Sequence, residues 1–140
     1  MTDVSPDCIA ECIADPTAGL KAAMRHYAAG VTVITTGAGA DRRGVTATAF
    51  TSVTMDPPTV LVCVNRGGSA NPAMRAAGRF CVNILAEGQE EACAAFSGQS
   101  GLTGADRFLP FEWRPCGGPG LALEGALASI ACTVTGMIEQ

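Results

Sequence analysis

Two short stretches carry residue types suited to holding a ligand. The first is the loop Asn65-Arg66-Gly67-Gly68-Ser69-Ala70, followed by Asn71-Pro72. Backbone N–H groups near Gly67 and Gly68, the Ser69 hydroxyl and a helix N-terminus after Asn71 can converge there on a phosphate, with Arg66 adding a charge-assisted contact. The same residues also suit a plain glycine-rich connection into a capped helix. The second is Gly44-Val45-Thr46-Ala47-Thr48-Ala49. Small side chains with alternating hydroxyls leave a strand backbone open to a flat ligand. An isoalloxazine ring needs that arrangement, with backbone donors and acceptors at its polar edge and nothing bulky over its face. A strand packed closely on a neighbour would show the same composition.

Other chemistries lack their residues. The single histidine, His26, makes a histidine-based triad or a His-rich metal cluster hard to build. Its place between the stripe positions of a helix suits a solvent-edge role. Seven cysteines stand at 8, 12, 63, 81, 93, 116 and 132, without Cys-x-x-Cys spacing, so no metal site is expected. Cys63, Cys81 and Cys132 sit in apolar runs, where thiols behave as small buried hydrophobes. There is no G-x-G-x-x-G opening a βα unit, no P-loop lysine and no nucleophile elbow. Glu90-Glu91 reads as a solvated helix face. Reactivity would therefore come from a cofactor, and no catalytic side chain is assigned.

The elements that position these stretches follow from patterning. Residues 1–15 read as a loose arm, and 16–140 as one domain. Asp15-Pro16-Thr17 caps a helix whose apolar stripe is Leu20, Met24 and Tyr27, ended by Gly30. Val31–Thr36 is a β-branched strand, and GAGADRRG a turn returning through Gly44–Phe50. Thr51–Met55 continues extended until Asp56-Pro57-Pro58 breaks the ladder. Thr59–Val64 has the continuous apolar character of a strand buried on both faces. Asn71, as N-cap, and Pro72 start a short helix closed by Gly78. Arg79–Leu85 is a strand, and Glu87–Phe96 a helix with Ala92, Ala95 and Phe96 inward. Residues 97–120 are mostly loop, and Ala126–Ile138 is a long strand. Short turns outnumber helical crossovers, so the fold class is mainly β, a barrel with peripheral helices.

Composition excludes several partners. Net charge is −4, and the nine Lys and Arg are spread singly apart from Arg42-Arg43, so no nucleic-acid face is expected. No apolar run is long enough to span a membrane, and the acidic start lacks a signal-peptide layout, so the expected location is the cytoplasm. Hydrophobic residues reach 48% against 16% charged, which favours a homodimer that covers apolar surface.

Several segments, in order, resemble the short-chain flavin reductases that feed reduced flavin to two-component monooxygenases. They are MRHYAAGVTVITT (24–36), GVTATAFTSVTMDPP (44–58), VLVCVN (60–65) and RFCVNIL (79–85), then Asp106-Arg107-Phe108, Trp113-Arg114-Pro115 and LEGALASIAC (123–132). The resemblance implies a homodimeric, Greek-key-type split β-barrel binding FMN or FAD, with NADH or NADPH as co-substrate and a flavin-dependent monooxygenase as partner. It also implies an alternative, a non-catalytic or electron-carrying flavin protein of the same fold. By the same resemblance Gly44, Val45, Thr46, Ala47, Thr48 and Ala49 line the ring. Cys63, Val64 and Asn65 continue that wall, and Ser69 and Ala70 meet the phosphate side. Asn83 matches a family position too, but a buried strand asparagine is expected to tie loops together. Family members continue beyond a strand like Ala126–Ile138 with a Gly-Asp-His-Thr-type segment and another strand. The expectation is therefore a domain incomplete at its C-terminal side, with nicotinamide turnover more affected than flavin binding.

Overall fold

A computed structural model describes residues 14–140, so the arm expected over 1–15 lies almost wholly outside the described residues, as do Cys8 and Cys12. Helix α1 (Pro16–Met24) starts where its cap requires. Asp15 is extended and its Oδ1 accepts from the Thr17 and Ala18 amides at 3.1 Å each. The helix ends at Met24, before Gly30. Its stripe does not pack on the domain: Leu20 is 61% and Tyr27 68% exposed, and Gly19 is the buried residue of the helix. The periodicity is a true helix signal, but no sheet face among the described residues lies beneath it.

The central sheet is antiparallel, in the order β2 (Arg43–Ala47), β1 (Thr32–Thr36), β5 (Arg79–Ile84), β8 (Ala128–Thr133). Every residue of β1 is buried, as expected of a strand with neighbours on both sides and cover on both faces. Alternation splits its side chains. Val33 faces Ala95, Phe96 and Phe108, under helix α3 (Glu90–Phe96) and the hairpin of β6 (Trp113–Pro115) and β7 (Leu121–Leu123). Ile34 faces Met74, Phe80 and Val82, under helix α2 (Ala70–Ala77). On the first face Phe96 and Phe108 meet edge to face, with centroids 5.0 Å apart, a favoured aromatic geometry. Ala92, Ala95 and Phe96 are inward as their spacing requires.

A separate ribbon, β3 (Phe50–Met55) with β4 (Pro58–Val62), leaves this sheet. Asp56-Pro57 forms its turn, with Met55 paired to Pro58, so the prolines close the hairpin rather than ending the ladder. The expectation that Thr59–Val64 is buried on both faces fails. Val53 is 60%, Met55 76% and Leu61 44% exposed, because the ribbon packs through one face only, with Phe50 and Val62 on the α2-side core. The final strand is shorter than expected, stopping at Thr133.

Two further corrections concern local chemistry. Helix α2 begins at Ala70 with Ser69 at the N-cap and Asn71 inside its first turn. Asn71 instead bridges the Val64 carbonyl (3.4 Å) and Arg75 Nε (3.0 Å), while Gly78, at φ +66°, closes the helix as expected. Cys81 is not a free buried thiol: it forms a disulfide with Cys116, 35 residues away, with Cα atoms 6.4 Å apart. Burial pushes the Cys132 thiol above its ordinary value. No described helix is long and apolar enough to cross a membrane.

Candidate functional site

The joint between the sheet and the ribbon brings three separate segments together. β2 ends at Ala47, the chain bends through Thr48-Ala49, and the Phe50 amide donates to the Thr48 carbonyl at 3.0 Å. The Cys63 amide donates to the Ala49 carbonyl at 3.0 Å, which fixes the end of β4 beside the bend. Asn71 Nδ2 then donates to the Val64 carbonyl, which draws the start of α2 to the same place. Thr48, Ala49, Cys63, Asn65 and Ser69 are all exposed on this surface.

The remaining expected residues lie behind it. Val45, Ala47 and Val64 are half-buried and pack on the Ile34–Met74–Phe80–Val82 core, and Ala70 is buried. Gly44 and Thr46 point to the opposite face of the sheet. Thr46 Oγ1 donates to the Cys93 carbonyl of α3 at 2.7 Å. A Cβ on Gly44 would stand 2.6 Å from two atoms of the Phe96 ring. Glycine at 44 is thus required by a close side-chain approach. Of the two readings of this strand, packing accounts for Gly44 and Thr46, and openness to a ligand remains for Thr48 and Ala49.

The loop after Asn65 is braced from within. Asn65 Oδ1 accepts from the Gly67 amide at 2.9 Å and the Asn65 carbonyl from the Gly68 amide at 3.2 Å. Both glycine amides are therefore committed, and they are not the donors of an anion cradle. What the loop offers outward is the Nδ2 amide of Asn65 and the Ser69 hydroxyl, which makes no capping bond to α2. Ser69 also lines a cleft of about 570 Å³ at the end of the sheet. Its walls include Asp41 of the β1–β2 connection, Arg43 at the start of β2, Ala73 and Ala77 of α2, and Pro119. Arg43 Nη1 donates to the Ala40 and Arg42 carbonyls at 2.8 and 2.7 Å, which holds its guanidinium in place. Sequence patterning does not assign Arg43 or Pro119 to a site. The positive-φ glycines at 117, 118 and 120 are the available sign that the Pro119 segment turns sharply.

Asn83 anchors the scaffold behind the site. It is 0% exposed, and its Nδ2 donates to the Val33 and Leu121 carbonyls at 3.1 Å each. Its Oδ1 accepts from the Leu123 amide (2.8 Å) and from Ser129 Oγ (2.7 Å). The side chain thus ties β5 to β1, β7 and β8, as expected of an asparagine that joins segments.

These residues fit a flavin in kind. Thr48, Ala49 and Cys63 are small and uncovered, Asn65 Nδ2 and the Thr48 hydroxyl suit a polar ring edge, and Ser69 with Arg43 suits a phosphate. Among the described residues no group of three or more His, Cys, Asp or Glu could hold a metal ion.

Comparison with known proteins places the chain by family and fold. The flavin reductase like domain family matches residues 24–140. The chain is 44% identical over 109 residues to the 4-hydroxyphenylacetate 3-monooxygenase reductase component of Pseudomonas aeruginosa, covering 77% of this chain and 64% of that protein. It is 43% identical over 115 residues to an FMN reductase (NADH) of Stutzerimonas stutzeri, covering 81% of this chain and 64% of that protein. The chain thus spans just under two thirds of the length of these relatives. Among solved structures it superposes on the NADH:FAD oxidoreductase of Streptomyces globisporus in complex with NAD and FAD fragments. The TM-score is 0.80 at 32% identity, covering 90% of this chain and 75% of that one. The styrene monooxygenase flavin reductase of Pseudomonas putida gives a TM-score of 0.72 at 30% identity, covering 86% and 75%. These neighbours share the split-barrel fold.

Proposed function

Because this chain belongs to the flavin reductase-like family, we propose that it binds FMN or FAD at the sheet–ribbon joint, reduces it with NADH or NADPH, and hands reduced flavin to a monooxygenase. The observation that carries the reading is the meeting of Thr48-Ala49, Cys63 with Asn65, and Ser69 on one exposed surface, with Val64 and Ala70 behind it. The relatives named as monooxygenase reductase components and as an NADH-dependent FMN reductase supply the reaction class and the kind of partner.

A bound flavin supplies the hydride acceptor, so no protein acid or base is needed for that step. Thr48, Ala49 and Cys63 form the wall on which the ring rests. Asn65, held by its bond from the Gly67 amide, keeps Nδ2 turned to the ring edge. Ser69 orients the phosphate, and Arg43 adds a fixed positive charge further along the cleft. Gly44, Val45, Thr46, Ala47, Val64 and Ala70 hold the wall from behind. Pre-positioned contacts of this kind convert encounter into a reactive geometry.

The protein works as a homodimer on this reading. The uncovered apolar residues of the ribbon (Val53, Met55, Leu61) and of α1 (Leu20, Met24) with Tyr27 just beyond it are the surface a second copy would cover. The cytoplasm, where reduced nicotinamides are at hand, is its place of action. The test is NADH or NADPH oxidation by the purified chain with added FMN or FAD, run beside gel filtration. Flavin-dependent oxidation by a colourless dimer supports a reductase with flavin as substrate. Flavin retained through the column without turnover supports a carrier instead, and neither binding nor turnover overturns the proposal for this chain.

A further inference from the structure

The disulfide sits three residues before Pro119, which lines one wall of the cleft. Cys81 is 0% exposed, at the centre of β5 opposite Thr35, while Cys116 is half-buried at the head of Cys116-Gly117-Gly118-Pro119-Gly120. The far end of this segment is fixed without the disulfide. The Gly120 amide donates to the Gly37 carbonyl (3.2 Å), and the Leu121 amide to Thr35 Oγ1 (2.8 Å). Gly120 also lies so close that a Cβ there would be 2.9 Å from the Cys81 nitrogen. At the near end the β6–β7 ladder stops at Pro115. Cys116 is then the side chain that can hold the segment, because Gly117 and Gly118 carry none and both have positive φ. Pro119, between the two ends, lines the cleft together with Ser69, Ala73 and Ala77. Disulfides in a reducing compartment are usually transient and redox-sensing.

We propose that Cys81 and Cys116 are a redox-modification site: hydrogen peroxide closes the disulfide, which locks residues 116–119 against the cleft, and a protein dithiol reopens it. The effect on flavin rests on the reading above that Ser69 marks the phosphate end. Cys116 is the thiol that peroxide reaches, since Cys81 is fully buried. The Cys116 thiolate attacks one peroxide oxygen; the O–O bond breaks, hydroxide leaves and takes up a proton as water, and a sulfenic acid forms. Cys81 then attacks that sulfur. The S–O bond breaks, the S–S bond forms, and a second water departs with the Cys81 proton. Two thiols lose two electrons in all, and one peroxide gains them. Cα atoms 6.4 Å apart lie within disulfide reach. Reduced flavin released into air passes two electrons to dioxygen and yields peroxide, so the oxidant arises from the proposed activity when no oxygenase takes the flavin. Reduction by a dithiol exchanges the same two electrons in reverse.

The test compares the full chain after dithiol reduction with the same sample after stoichiometric hydrogen peroxide. Peptide mapping reads the link, hydrogen exchange reads the amides of 117, 118 and 120, and FMN titration reads the cleft. The expected result is a peptide joining Cys81 to Cys116, exchange slowed about tenfold at the Gly120 amide, the one of these three that is hydrogen-bonded, and FMN bound about threefold to tenfold more tightly. Cys116→Ser should behave like the reduced chain before and after peroxide. Failure of the link to form, or a link without change in exchange, overturns the proposal. Equal FMN affinity in the two states overturns its control of the cleft. FMN bound by neither state overturns the cofactor reading itself, and the exchange contrast then decides the lock alone.

Discussion

Replacing Asn83 by Asp keeps the size of the side chain and the two bonds accepted by Oδ1, but removes the donors that serve Val33 and Leu121. A carboxylate there would face two carbonyl oxygens in a site that is 0% exposed. Burial and repulsion raise its pKa in the folded chain, so it stays protonated and donates one bond in place of two. The lost bond costs about 1 kcal/mol at any pH. The proton adds a pH-dependent cost, because above about pH 3.9 the unfolded chain releases it while the folded chain retains it. Folded protein then binds more protons than unfolded, and stability falls as pH rises until the folded pKa is reached. With that pKa above neutrality, the proton cost reaches about 4 kcal/mol near pH 7, against a total stability of about 5–15 kcal/mol for such a domain. Urea unfolding of N83D and wild type from about pH 5.5 to about pH 7 should show the gap widening by about 2 kcal/mol. A gap that is constant with pH, or below about 1 kcal/mol throughout, would refute the assignment of Asn83 as a buried donor to two carbonyls.

Gly44→Ala should lower stability by about 1–3 kcal/mol, because the new methyl meets the Phe96 ring, while folded protein keeps its flavin affinity. Calorimetry with flavin titration separates this from a ligand role, in which affinity would fall and stability would not. Thr48→Trp should abolish flavin binding with an unchanged far-ultraviolet circular dichroism spectrum, since Thr48 is exposed and an indole there lies over the ring wall; retained affinity would move the ring elsewhere. Cys132 should alkylate slowly, with a rate that keeps climbing above the ordinary thiol range because burial raises its pKa. Peptide mass mapping across pH checks this, and a profile centred on the ordinary value would contradict it.

What the sequence revealed depended on how local each signal was. The β-branched run at 31–36, the inward spacing of Ala92, Ala95 and Phe96, and the Asp15 cap are set by neighbours within a few residues, and all three stand as read. Asn83 was legible because an amide inside an apolar strand needs partners. Signals that depend on distant chain misled. The Leu20–Met24–Tyr27 stripe marks a helix but not what covers it, and the apolar β4 run does not say that its ribbon leaves the sheet. Small residues at 44–49 fit both a ligand wall and a packed strand, and the face each residue points to divides them between the two. Cys81 and Cys116 are joined across 35 residues by the path of β6–β7, for which no spacing rule exists.

The placement of flavin at the joint is tested most directly by the alkylation rate of Cys63, followed by peptide mapping as FMN or FAD is added. Cys63 is exposed on the proposed ring wall, whereas half-buried Cys93 lies under the opposite face of the sheet and serves as the internal reference. The account predicts that flavin slows modification of Cys63 saturably and leaves Cys93 unchanged. A Cys63 rate indifferent to saturating flavin would contradict it.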